Sequence, residues 1–136
     1  MEDLKAIVKP LYTESLTAHP GGDPAAVMQD VLADDFKSIG SVETKGKAAF
    51  IGQVQFFWKL VPDLKWEIQE MLEAESKVIV RSVASGSPSG DFFGMPTDGS
   101  KSFKILTIDI HTVEAGKIAQ VYHLEDWATA MKQLKG

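Results

Sequence analysis

The stretch ILTIDIHTVEAGKIAQVYHLED, residues 105–126, alternates apolar and polar side chains on either side of a Glu-Ala-Gly-Lys step. A period of two is the mark of a β-strand, and a short Gly-containing break between two such runs marks a hairpin. A turn at Ala115-Gly116 pairs Glu114 with Lys117 and so sets the register of both strands. Val113 then faces Ile118, His111 faces Gln120, Asp109 faces Tyr122, Thr107 faces Leu124 and Ile105 faces Asp126, all on one side of the sheet. The other side carries Leu106, Ile108, Ile110, Ala119, Val121 and His123. One face is thus apolar at its centre, while the other mixes apolar residues with carboxylates, an imidazole, a phenol and an amide. Two readings of the mixed face stand side by side: the wet side of a half-buried sheet, or a concave face roofed by helices with its polar groups aimed into a cavity.

Outward from the hairpin, Leu64, Trp66 and Ile68 alternate with polar neighbours and Val78–Val83 is rich in β-branched residues, so two further strands are expected. The segment between Ser85 and Lys101, crowded with Gly, Pro, Ser and Asp, reads as a loop, and GDFFG within it as a rim carrying Phe92 and Phe93. Upstream, Phe50, Ile51, Val54, Phe57, Trp58 and Val61 recur at helical spacing between Gly46 and Pro62. Leu4, Ile7, Val8, Leu11, Tyr12 and Ser15 predict a first helix over 2–18, closed by HPGGDP. Asp23-Pro24 opens a second helix ending near Asp34, and a short strand is expected over 35–42. Three helices and a run of antiparallel strands give an α+β fold, helices packed on the concave face of a curved sheet.

With 136 residues the chain is expected to form one domain, residues 1–136. It has no Cys, which removes disulfides, zinc–thiolate sites and thiol nucleophiles and fits a reducing compartment. The opening MEDLKAIVKP does not read as a secretory signal, so the expected location is cytoplasmic, and no apolar run is long enough to span a bilayer. A net charge of −5 with scattered Lys argues against nucleic acid and for a small hydrophobic or aromatic ligand. His19, His111 and His123 lack the close spacing of a metal site, no G-x-S-x-G elbow occurs, and Arg81 is read as a structural partner of Glu70 or Glu73. Phe36, Phe57, Trp58, Phe92, Phe93 and Phe103 exceed what an aliphatic core requires and favour an aromatic-lined pocket.

Three stretches carry a resemblance over almost the full length: KGKAAFIGQVQFFWKLVPDLKWEI, SGSPSGDFFGMPTDGSKSFKI and IDIHTVEAGKIAQVYHLEDW. Their order and spacing resemble the nuclear transport factor 2-like (cystatin-like) fold, a cone-shaped α+β barrel, and within it the SnoaL-like polyketide cyclases. The resemblance implies ring closure by intramolecular aldol condensation without cofactor or metal, with an aspartate near the end of the last strand as acid/base. That residue matches Asp126, and the family histidine of the preceding strand has His111 as its nearest counterpart. The expected donor for a polarised carbonyl is Tyr122, Tyr12 or His111, and Asp109, Gln120, Thr107, Phe57, Trp58 and Phe93 complete the expected substrate contacts. Two departures qualify this. Pro88 stands where many members have a loop histidine, and Gln120-Val121-Tyr122 replaces a common Glu-His-Trp. Ketosteroid isomerases share the fold, and their oxyanion-hole tyrosine resembles Tyr12, but their base falls at Gly40, which argues against that reaction. The resemblance also implies a homodimer through the outer sheet face, here Leu106, Ile108, Ile110 and Val121, and leaves a non-catalytic binding or dimerisation module as the alternative function.

Overall fold

In the computed structural model, which describes residues 3–136, the first helix is interrupted at a proline. Helix α1 (Leu4–Pro10) is capped by the Asp3 carboxylate, which accepts from Ala6 N. It passes at Pro10 into a π-helical turn, Leu11–Ser15, closed by Leu16 N donating to Leu11 O at 2.8 Å. Pro10 brings no N–H to an α ladder, and the wider turn that follows buries Leu11, Tyr12 and Ser15 together. The helix expected over 2–18 is therefore shorter and two-part; its start at Glu2 lies outside the described residues.

Helix α2 (Ala25–Val31) ends earlier than the sequence suggests, and strand β1 (Leu32–Ile39) begins directly. Two lysines stand in for a C-cap: Lys47 Nζ donates to Gln29 O and Leu32 O, and Lys117 Nζ to Asp30 O. Strand β2 (Thr44–Gly46) leads into α3 (Lys47–Leu60), which buries Ile51, Val54 and Leu60 and stops before Pro62. Strands β3 (Lys65–Ala74) and β4 (Lys77–Gly86) follow. The Gly-rich segment beyond them, expected to be loop, is a small hairpin of β5 (Ser89–Phe92) and β6 (Met95–Asp98). The chain ends in β7 (Phe103–Glu114), β8 (Lys117–Glu125) and a fourth helix, α4 (Trp127–Lys135), one more than expected.

The main sheet has six strands in the order β2-β1-β8-β7-β4-β3. It is antiparallel except for β1 against β8, which run parallel. Alternation along β4 puts Val78, Val80, Ser82, Ala84 and Gly86 on the buried face, and along β7 does the same for Phe103, Ile105, Thr107, Asp109, His111 and Val113. One core cluster joins these strands to Val8, Leu11, Tyr12 and Met28. A second gathers Phe92, Phe103, Ile105, Ala130 and Leu134 beneath α4. Burying one such Phe or Leu contributes about 1.5–3 kcal/mol. At the end of β4, Gly86 allows the Val61–Leu64 turn to lie directly on the strand, since a Cβ there would stand 2.3 Å from Val61 Cγ1. Arg81 pairs with Glu70, Nε to Oε1 at 3.1 Å. No helix among the described residues is long and apolar enough to cross a membrane.

Candidate active site

The turn between β7 and β8 is Ala115-Gly116, with φ of 49° and 76°, and Glu114 pairs with Lys117 as expected. Two residues later the register departs from simple alternation. Val113 pairs with Ile118, but Thr112 pairs with Gln120, so Ala119 is an extra residue in β8. A bulge of this kind moves every later side chain of the strand to the opposite face. His111 therefore faces Val121, Asp109 faces His123, and Thr107 faces Glu125.

The bulge changes the membership of the inner face. Gln120 and Tyr122, expected inside, turn to the other side of β8, and Tyr122 is half exposed. Val121 and His123, expected outside, point inward and line the cavity. Asp126 lies one residue past β8, fully exposed, and caps α4: its carboxylate accepts from Thr129 N at 3.1 Å and Thr129 Oγ1 at 2.6 Å. Those two bonds hold it below the usual carboxylate range. It does not face the cavity.

That cavity, of about 360 Å³, is bounded below by β7 and β8 and above by α3 and the π-helical turn. Leu11, Leu16, Phe50, Val54, Phe57 and Trp66 give it apolar walls. Its mouth is edged by the Gly40–Glu43 turn and by Phe93, which is 55% exposed. Phe93 and Gly94 form the β5–β6 turn with φ of 50° and 84°, a left-handed pair that a bulky residue adopts at a cost of about 1–2 kcal/mol. Packing of the Phe93 ring against Phe92, Trp127 and Phe57, with centroids 4.8, 5.3 and 6.2 Å away, offsets that cost. Trp58, expected at the ligand, is instead a brace: its Nε1 donates to Ser15 O at 2.7 Å and its ring lies by His19, outside the cavity lining. Thr107 is buried beneath the lining, accepting from Trp66 Nε1 at 3.1 Å.

Asp109 and His111 give the cavity a polar wall, and Tyr12, expected to reach the ligand, is fully buried outside the lining and ties the two together. From the π-helical turn its hydroxyl reaches Asp109 Oδ2 at 2.5 Å and His111 Nε2 at 2.6 Å, all three residues being buried. Burial strips Asp109 of water and pushes its pKa up to about 7; the hydrogen bond from Tyr12 works against that rise and the Glu125 charge with it. Burial pulls His111 down to about 3, so its imidazole is neutral at pH 7. Tyr12 is held well above its ordinary value by burial and by Asp109, so it remains a donor. When Asp109 is ionised, the Tyr12 hydroxyl donates a hydrogen bond to Oδ2 and the His111 Nε2–H is left to donate to the phenol oxygen, with His111 Nδ1 unpartnered. Opposite Asp109, His123 Nδ1 is bonded to Glu125 at 2.8 Å, which together with the Asp109 charge raises the imidazole above its ordinary pKa despite partial burial. Among the described residues no three His, Asp or Glu side chains converge closely enough to hold a metal ion.

Sequence reasoning assigned neither His123 nor Glu125 to the site, because an unbroken alternation puts both on other positions. Gly40 lies beneath the His123 ring, and a Cβ there would stand 3.0 Å from Cε1 and Nε2.

The model of the SnoaL-like polyketide cyclase family matches residues 13–134. No curated protein matches the chain. Among solved structures, a candidate SnoaL-like polyketide cyclase from Jannaschia sp. CCS1 superposes with a TM-score of 0.86 at 19% identity, covering 98% of this chain and 92% of that one. IdmH, a candidate polyketide cyclase from Streptomyces antibioticus, gives 0.84 at 21%, covering 99% and 100%. AclR, a candidate hydroxylase from Streptomyces galilaeus, gives 0.82 at 15%, covering 98% and 96%. At these identities the superpositions show a shared fold.

Proposed function

The chain belongs to the SnoaL-like polyketide cyclase family, and we propose that it carries out cofactor-independent acid/base chemistry on a cyclic or ring-forming keto compound, with Asp109 as the proton carrier. The observation that supports this is the placement of Asp109: a buried carboxylate on the wall of an apolar cavity, one oxygen held by Tyr12. A base works best when its pKa lies near the operating pH, and about 7 meets that condition. Tyr12 fixes Oδ2, so Oδ1 is the oxygen available to take a proton from the carbon beside a carbonyl. Apolar walls keep water from competing and strengthen each polar contact with the ligand. His111, neutral and buried, orients Tyr12 rather than carrying a proton itself. Asp126, whose carboxylate is occupied by the α4 N-terminus, is outside this proposal.

The ligand read from this lining is a small hydrophobic or aromatic ketone. Exchange of the α-protons of 2-tetralone in D2O, followed by NMR, tests the assignment. We expect wild type to accelerate exchange, Asp109→Asn to lose about 100-fold or more of that acceleration, and Asp126→Asn to retain it. Retention by Asp109→Asn with loss in Asp126→Asn returns the role to Asp126. Binding of 2-tetralone without any exchange supports a binding module instead.

We also propose that the chain dimerises through the outer sheet face. Leu106, Ile108 and Tyr122 support this: each is 41–50% exposed, and they lie on adjacent strands. Val121, expected in that patch, is buried on the other side. A monomer in sedimentation at micromolar concentration rejects the dimer.

A further inference from the structure

Asp109 has a cross-strand partner, His123, and directly opposed residues of an antiparallel pair hold their Cβ atoms about 5 Å apart. The imidazole is fixed on two sides. Its Nδ1 is bonded to both oxygens of Glu125, at 3.0 and 2.8 Å. That carboxylate is itself only 12% exposed and also accepts from Trp127 Nε1 at 3.3 Å. The far edge of the ring lies so close over Gly40 that any side chain there would press on Cε1 and Nε2. With Nδ1 committed, Nε2 is the nitrogen left for the cavity that His123, Gly40 and Asp109 line in common.

We propose that His123, oriented by Glu125 and seated on Gly40, is a second catalytic residue, giving a proton from Nε2 to a carbonyl oxygen while Asp109 takes one from the adjacent carbon. The inference rests on the Asp109 reading above. In the step, the Asp109 carboxylate accepts the α-proton, the C–H electron pair becomes the C=C bond of an enol, and the carbonyl π pair moves to oxygen. His123 Nε2 transfers its proton to that oxygen and becomes neutral. Where the enol carbon then attacks a second carbonyl, a C–C bond forms, the protonated Asp109 gives its proton to the new alkoxide, and the enol O–H proton returns to His123, so both groups end as they began. The groups facing the imidazole suit a donor: Glu125 on its own strand and Asp109 on β7 favour the cation, while burial and Lys45 on β2 oppose it. A cationic donor opposite a carboxylate places stabilising charge where the oxygen becomes negative.

Two measurements test this. In the 2-tetralone exchange assay, His123→Gln is expected to lose about 100-fold of the wild-type acceleration, and Glu125→Gln to move the alkaline limb of the pH profile to lower pH. In histidine Cε1–H NMR of the unmodified protein, the His123 resonance is expected to titrate above the ordinary value, to titrate lower in Glu125→Gln, and to shift when 2-naphthol, an enol mimic, is added. His123→Gln exchanging within threefold of wild type, with an unchanged profile, overturns the inference while Asp109→Asn remains slow. A fast Asp109→Asn overturns the Asp109 reading and this one with it. If His123→Gln fails to fold or wild type exchanges no 2-tetralone, the NMR arm decides: a resonance titrating at or below the ordinary value, or unmoved by 2-naphthol, rejects His123.

Discussion

Replacing Asp109 with Asn is expected to make the protein more stable at high pH, and the size of the effect follows from its burial. The folded state lifts the Asp109 pKa from 3.8 to about 7, so the native protein holds a proton that the unfolded chain releases. Such a group contributes its full stability below the unfolded value and loses it as pH rises through the folded one. The loss spans about three pH units at about 1.4 kcal/mol each, about 4 kcal/mol in all. Asn cannot ionise and keeps an oxygen for the Tyr12 hydroxyl, so the variant is spared this loss. Urea unfolding of both proteins at several pH values from 4 to 8.5 measures it. The stability of Asp109→Asn minus that of wild type should climb by about 4 kcal/mol across the interval. His111 acts in the opposite sense: its depressed folded pKa gives stability that is present above the unfolded value and is lost as pH falls through about 3. That slope is common to both proteins and drops out of the difference. Difference curves flat within about 1 kcal/mol would refute the claim that burial holds the Asp109 proton.

Tyr12→Phe removes the donor that restrains the Asp109 pKa, so the acid limb of α-proton exchange should move to higher pH; an unmoved limb would show that the 2.5 Å bond carries no weight. Asp126→Ala should lower the urea unfolding midpoint through loss of the α4 cap, while leaving the 2-tetralone exchange rate as in wild type. Gly86→Ala sets a Cβ against Val61 at a distance no packed pair tolerates, and should lower stability by about 1–3 kcal/mol in urea unfolding.

Much of the fold was legible because local chemistry and global packing agree. Pro62 ends α3, the apolar spacing from Phe50 to Trp58 gives its buried side, and Ala115-Gly116 gives the hairpin turn. On β7 the alternation alone selected Thr107, Asp109 and His111 for the inner face. On β8 the same reasoning failed after Ile118, since neither Ala119 nor Gln120 carries a mark of the extra residue: no Gly, no Pro, no special φ requirement. His123 and Glu125 were missed for that reason alone. Asp126 was misplaced despite a readable signal, an Asp immediately before a helix-forming segment, which is what an N-cap looks like. The parallel pairing of β1 with β8 was not legible either, since it depends on where two distant segments meet.

The bulge in β8 also bears on how such a site changes over descent. Its single extra residue decides whether His123 and Glu125 or Tyr122 and Leu124 confront Asp109 and Thr107 across the hairpin. Loss of one codon at Ala119 would therefore exchange an imidazole–carboxylate pair for a phenol and an aliphatic chain, with no substitution at any of the four positions. A short deletion in this strand is a route by which the same frame acquires a different reaction, and alignments that close gaps here would hide it.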